Sequence, residues 1–369
     1  MHFEPYVEVL PLIILSFVTA LAITPFLRWF GLRYGFATKP KAEWKPDERN
    51  AVTVHHTKRM SRLGEFAMLI PLGIFMWQDL SLNIQVLGFV LAAGLIAVIG
   101  AFDSKYNLNE FVKLFILIFS GIILIFTGTM IDINSIVQLS WLPEITINNP
   151  VLNERMSVFS MIITLMWIVV VPYALSLVGG VDGLSEGTTT IALMILVLIG
   201  IRNGDTFTIV IGSVCLGGML GLLPYNFHPA MIFSEHLIFG FIIAVLSVTS
   251  QAKIATSILI LTVPLIDFIF VHYLRTKKYF SEQKKFNFRL LLHYYGTGDR
   301  NHLHHKLMDL GMKPAHIALF QYILYAVLGF AALVVSGLYL TLVVLGSIVL
   351  VVLILCYINY QLNKIHKDT

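Results

Sequence analysis

Eleven stretches of the chain are apolar over most of their length, near residues 9–27, 63–78, 84–102, 111–128, 157–177, 187–201, 206–223, 235–249, 253–274, 315–337 and 338–358. A helix needs about 20 mostly apolar residues to cross a bilayer. The pattern predicts an all-α, polytopic integral membrane protein of about eleven transmembrane helices, with no separate soluble domain. The stretches 63–78, 187–201 and 235–249 are short, and short spans sit near enclosed polar sites or tilt little. The loop 129–156 carries Ile-Thr-Ile and Pro-Val-Leu pieces around Asn148-Asn149-Pro150 and reads as a small hairpin on the membrane surface. Residues Met1–Pro5 lack a basic region, and no small-residue cleavage site follows, so the first stretch is expected to be a retained helix.

Composition narrows the class. Of 369 residues, 57% are apolar and 12% charged, with a mean hydropathy of +0.82. Soluble domains run about 45–50% apolar with roughly a quarter of residues charged. A disordered chain, a fibrous repeat and an ordinary cytosolic enzyme are excluded. The net charge of +4 comes from 25 Lys+Arg against 21 Asp+Glu. Nine of the basic residues fall in 28–62 and nine in 275–313, and alternation of spans puts Lys105, Lys113, Lys364 and Lys367 on the same side. Arg155, Arg202 and Lys253 fall on the other. The positive-inside bias then places the N-terminus outside and the C-terminus in the cytoplasm, as an odd number of spans requires. The basic excess is therefore read as membrane topology, with no nucleic-acid partner. Cys215 and Cys356 lie in apolar stretches and offer neither a disulfide framework nor metal-ligand spacing.

Polar residues at a membrane boundary are costly, which makes them functional candidates. Asp103 ends the third stretch, and Asp182 lies in Gly179-Gly180-Val-Asp182-Gly183. Asn226 and His228 lie in Tyr225-Asn226-Phe-His228-Pro229, Asp267 lies deep in the ninth stretch, and the second basic loop contains Asp299-Arg300-Asn-His302-Leu-His304-His305. Singly, each has a plainer reading as a helix-end carboxylate, a glycine turn or a solvated loop. Together they put carboxylates, close-approach glycines and His/Arg donors on one membrane face. A phosphate-handling site requires that inventory.

The motif order resembles the polyprenyl-phosphate N-acetylhexosamine-1-phosphate transferases of glycosyltransferase family 4, over about residues 28–330. His56-Thr-Lys-Arg-Met-Ser-Arg62-Leu-Gly64 is similar to the family's H-x4-P-R-x-G-G, with Ser61 for Pro and Glu65 for the last Gly. Gly100 to Leu108 with downstream Lys113 is similar to G-x-x-D-D-R-x-x-L, but Ser104 replaces the second aspartate. Tyr225 to Ala230 resembles Y-N-F-x-P-A, Pro264-Leu-Ile-Asp267 resembles P-x-x-D, and Asp299 to Leu307 is similar to D-R-x-H-x-H-H-R-L. In the family's N-x-x-N-x-x-D-G-x-D-G segment, only Asp182 remains of the aspartates and asparagines, with Gly179 at the first aspartate. In F-x-G-D-x-G-S, about three residues are deleted and His236 stands at the metal-binding aspartate, next to Glu235.

The resemblance implies one transmembrane transferase-like domain over 1–369, working at the inner face of a bacterial plasma membrane. It implies that polyprenyl (undecaprenyl) phosphate attacks a UDP-sugar such as a UDP-N-acetylhexosamine. UMP is released and the first lipid intermediate of a cell-envelope glycan is formed. Asp103, Lys113 and Asp182 take the catalytic positions. Gly180, Asn226 and Phe233 hold uridine, and Arg300, His302, His304 and His305 hold the diphosphate and sugar. Asp103, Glu235 and His236 form the expected metal shell for Mg²⁺, or for Mn²⁺ given the histidine. Membrane lipids are further partners, and a homodimer is compatible with this reading. The altered carboxylates keep two alternatives open: a family member that binds UDP-sugar or lipid phosphate without turnover, and a transporter, which the one-sided polar residues and absence of a repeat disfavour.

Overall fold

A computed structural model describes residues 5–38, 59–78, 80–132, 145–250, 254–282, 287 and 300–368. Its helices are α1 (Pro5–Tyr34), α2 (Phe66–Phe75), α3 (Ile84–Tyr106), α4 (Glu110–Phe126), α5 (Val158–Ser176), α6 (Leu184–Asn203), α7 (Thr206–Asn226), α8 (Leu237–Thr249), α9 (Ile254–Ile260), α10 (Thr262–Glu282), α11 (Leu303–Asp309), α12 (Pro314–Val334) and α13 (Gly337–Asp368). Strands β1 (Thr146–Asn149) and β2 (Glu154–Ser157) pair antiparallel, Thr146 opposite Ser157, so a hairpin does form within the loop 129–156. Residues 133–144, His56 and Asp299 lie outside the described residues.

Every apolar stretch carries helix, but the expectation of eleven full spans is met only in part. Among the described residues, seven helices are long and apolar enough to cross a membrane: α1, α3, α5, α6, α7, α12 and α13. α2 and α8 are shorter apolar helices. The ninth stretch is two helices, broken at Leu261, where Pro264 in the first turn of α10 can donate no backbone hydrogen bond to extend α9.

α7 is the axis of the bundle, with 89% of its apolar window buried, against 28% for α1 and α13. It is so deeply enclosed because glycines let neighbours approach its backbone. A Cβ on Gly217 would stand 2.3 Å from the Ile13 carbonyl oxygen of α1, and one on Gly221 would stand 2.6 Å from that of Phe17. This small-xxx-small spacing packs membrane helices by van der Waals contact where water supplies no driving force. Short polar residues set the helix ends. Asn83 Oδ1 accepts from Val86 N–H at 2.9 Å to start α3, Asn109 Oδ1 from Phe111 N–H at 2.9 Å to start α4, and Asp205 Oδ2 from Thr208 N–H at 2.9 Å to start α7.

Candidate functional site

The short helices α2 and α8 leave room at one end of the bundle for two irregular segments, 59–65 and 232–236. Phe233 N–H donates to the Ser61 carbonyl at 2.8 Å, and Gly64 N–H donates to the Phe233 carbonyl at 2.9 Å. A Cβ on Gly64 would stand 2.8 Å from that oxygen, so the approach requires glycine. Irregular backbone is tolerated at membrane depth only where protein or a cavity surrounds it.

This stitching brings Arg62 beside Glu235 and the end of α3. Arg62 Nη2 donates to Glu235 Oε2 at 2.8 Å and to Asp103 Oδ2 at 3.3 Å, while Nη1 donates to the Asp103 carbonyl at 3.3 Å. Lys113 Nζ, one turn into α4, lies 3.1 Å from Asp103 Oδ2 and 2.9 Å from Glu110 Oε1. Asp103 Oδ1 accepts from Leu108 N–H at 2.7 Å and fixes the α3–α4 turn. Glu65 Oε2 accepts from Glu235 N–H at 3.0 Å, whereas Glu65 Oε1 has no partner among the described residues. Glu65, Asp103, Lys113 and Glu235 line a cavity whose other walls are apolar, including Ile96 and Ile99 of α3 and Ile116 and Leu117 of α4.

A second network adjoins the first. Asn226, at the end of α7, accepts from Gly183 N–H at 2.8 Å and donates to the Ile232 carbonyl at 2.9 Å, joining the glycine turn to segment 232–236. Asp182 Oδ2 accepts from Ala230 N–H at 3.1 Å and lies 2.8 Å from His228 Nδ1. On α10, Asp267 accepts from Leu303 N–H at 2.8 Å and lies 2.8 Å from His302 Nδ1, so this carboxylate deep in the ninth stretch anchors the histidine segment. The His302 and His304 rings stack, 5.9 Å apart and within 4° of parallel. His304 packs on Gly180, where a Cβ would stand 2.0 Å from His304 Nε2. That Nε2 is buried without a partner among the described residues, and burial, with His305 and His302 adding, holds its imidazole well below the usual histidine range. Arg300 pairs with Asp309 across α11.

The structure thus unites Asp103, Lys113 and Glu235 in one network, Gly180 with His302, His304 and His305 in another, and Asp182 with the loop after Asn226. It does not bring His236 to Asp103 and Glu235. The His236 ring turns the other way, with Nε2 3.3 Å from Glu186 Oε1, the Phe233 ring edge-on at 5.1 Å, and a position where a Cβ on Gly179 would stand 2.3 Å from His236 Nδ1. Among the described residues, no three His, Cys, Asp or Glu side chains group as a metal site. The donors as they stand do not fit a divalent ion: both Asp103 oxygens and Glu235 Oε2 are taken by backbone or cationic partners.

Three participants escape the sequence reading. Glu186 is a buried acidic residue in the first turn of a helix long and apolar enough to cross a membrane, which is itself a signal of a buried polar role. Arg62 and Glu65 stand in the motif read at 56–65, but nothing in the sequence pairs them with Asp103 and Glu235.

Residues 86–251 match the family model described as glycosyl transferase family 4. The chain is 26% identical to a probable undecaprenyl-phosphate N-acetylglucosaminyl 1-phosphate transferase of Bacillus subtilis, over 99% of this chain and 96% of that protein. It is 24% identical to a decaprenyl-phosphate N-acetylglucosaminephosphotransferase of Mycobacterium leprae, over 85% and 81%. A phospho-N-acetylmuramoyl-pentapeptide-transferase of Lacticaseibacillus paracasei is 35% identical over a shorter piece, 21% of this chain and 25% of that protein. The matched region holds Asp103, Lys113, the glycine turn, Asn226 and Glu235, and the similarity to the Bacillus subtilis transferase runs over nearly the whole of both chains.

Proposed function

We propose that the chain transfers N-acetylglucosamine-1-phosphate, or a close N-acetylhexosamine analogue, from a UDP-sugar to a polyprenyl phosphate. The observation that carries this reading is the cavity between α3 and α4, where apolar walls meet the charged groups of Lys113, Asp103 and Glu235. A lipid phosphate has that same combination of an apolar chain and an anionic head. A phosphate oxygen of the lipid attacks the β-phosphorus of the donor, the bond to the bridging oxygen breaks, and UMP leaves with that electron pair. The lipid phosphate is already largely ionised at cytosolic pH, because its second pKa is near 6. Asp103, held between Arg62 and Lys113, therefore orients the cations rather than removing a proton. The glycine turn and the histidine segment flank the donor side, where buried His304 backs the Gly180 turn and Phe233 offers a ring to the base.

In this reading the eleven helical stretches all cross or enter the membrane, the N-terminus is outside and the site faces the cytoplasm, where UDP-sugars are made. The charge distribution supports that orientation. The test is UMP release by purified protein with undecaprenyl phosphate and a panel of UDP-N-acetylhexosamines. Release with one donor, abolished by Asp103→Ala, is expected. Donor binding without release would instead favour the non-catalytic alternative.

A further inference from the structure

We propose that Arg62 takes the place of the divalent ion in this chain, its guanidinium tying Asp103 to Glu235 and receiving the phosphate charge of the reacting groups. The proposal rests on the transferase reading for its substrates, but not for its geometry.

The argument begins with what fills the positions of the missing carboxylates. Ser104 stands where the resembled motif has its second aspartate, and its hydroxyl donates to the Arg62 carbonyl at 2.8 Å. The residue that replaces a carboxylate therefore pins the arginine. Gly179 stands at another lost aspartate, and the space a side chain would take holds the His236 imidazole. His236 itself replaces the third and pairs with buried Glu186. The three departures are thus coupled: one anchors Arg62, and the other two fit each other and leave the Asp103 network.

Asp103 is satisfied at both oxygens and Glu235 at Oε2, and Glu65 Oε1 alone is left buried without a partner among the described residues of this network. Arg62 Nη2 bridges Asp103 Oδ2 and Glu235 Oε2, Lys113 adds a second cation to Asp103, and Glu65 holds Glu235 in place through its backbone N–H. Mg²⁺ requires near-octahedral oxygen donors at about 2.0–2.1 Å. A guanidinium needs none of that order. It is permanently charged and presents a planar fork of five donors that matches phosphate oxygens bidentately. When a phosphate enters, Arg62 can turn part of that fork from carboxylate to phosphate, while Lys113 keeps Asp103 neutralised.

The test uses the full chain in detergent with undecaprenyl phosphate and UDP-GlcNAc, alongside a Mn²⁺ titration followed by electron paramagnetic resonance. Turnover in excess EDTA is expected to stay within about twofold of that in Mg²⁺. Arg62→Ala should lower kcat/KM about 100-fold or more, and Arg62→Lys should recover part of it, keeping the charge but losing the fork. Wild type should bind no stoichiometric Mn²⁺, whereas Arg62→Ala, which releases Asp103 and Glu235, should gain a site; melting curves verify that both variants are folded. Turnover lost in EDTA and restored by Mg²⁺ would overturn the proposal while leaving the transferase reading intact. Stoichiometric Mn²⁺ on wild type, or none gained by folded Arg62→Ala, would also overturn it. No turnover with any donor or ion would count against the transferase reading alone, and the Mn²⁺ titration would still decide the role of Arg62.

Discussion

The two halves of the site are built on different principles, although they meet between the adjacent residues Glu235 and His236. In the half around Arg62, charged groups satisfy one another, with one guanidinium shared by two carboxylates and Asp103 shared by two cations. In the half around Asn226, Asp182 and Asp267, side chains hold backbone N–H groups and histidine rings in fixed positions. The first arrangement can exchange partners with an incoming phosphate at little geometric cost. The second cannot, and serves to set shape. Function should therefore be lost steeply in the first half, and stability in the second.

The largest expected effect follows from removing a cation. Lys113→Ala should reduce kcat/KM about 100-fold or more in a UMP-release assay, since one positioned charge at developing phosphate charge is worth that much, with little change in melting temperature. A rate near wild type would show that the charged half does not act on the phosphates. Next, Asp267→Asn leaves His302 and Leu303 N–H without their carboxylate. It should destabilise the protein by about 1–3 kcal/mol, measured by denaturation in detergent. Asn226→Ala, which cuts both the Gly183 and Ile232 bonds, should cost a similar or slightly smaller amount, about 1–2 kcal/mol. If either variant lost turnover at full stability, the division between the halves would be wrong.

A smaller effect concerns pH. His304 has a folded-state affinity for protons well below its usual value of 6.5, because burial opposes its charge. Above that value both folded and unfolded states are neutral and His304 contributes no pH dependence. As pH falls below about 6.5, the unfolded state gains a proton that the folded state refuses, so stability falls. Melting curves over roughly pH 5 to 8 should show this decline in wild type and a shallower one in His304→Gln. Equal slopes would mean that His304 is not held neutral.

The apolar pattern located a helix in every stretch, because membrane helices must satisfy their own backbone and advertise it in composition. It also marked 63–78, 187–201 and 235–249 as short; the first and last proved to be the places where irregular segments enter the site, whereas 187–201 lies within the 20-residue α6, which is long enough to span. It did not show the break at Leu261, since a proline in a first turn leaves the hydropathy unchanged. The candidate residues were largely legible, because polar groups at the ends of apolar runs are few. Their pairings were not. Arg62 with Glu235 and His236 with Glu186 join residues far apart in sequence, and no local pattern encodes such contacts. Nor did spacing reveal that Glu235 and His236 face opposite networks, which is a matter of backbone direction in an irregular segment.

The most direct test of the central claim is the mass of the lipid product after incubating the protein with undecaprenyl phosphate and UDP-GlcNAc. The account predicts a new lipid heavier by one N-acetylglucosamine phosphate unit, formed in step with UMP and formed about 100-fold or more slowly with Lys113→Ala. Unchanged lipid, with UDP-GlcNAc bound and recovered intact, would contradict it and identify the charged half as a binding site alone.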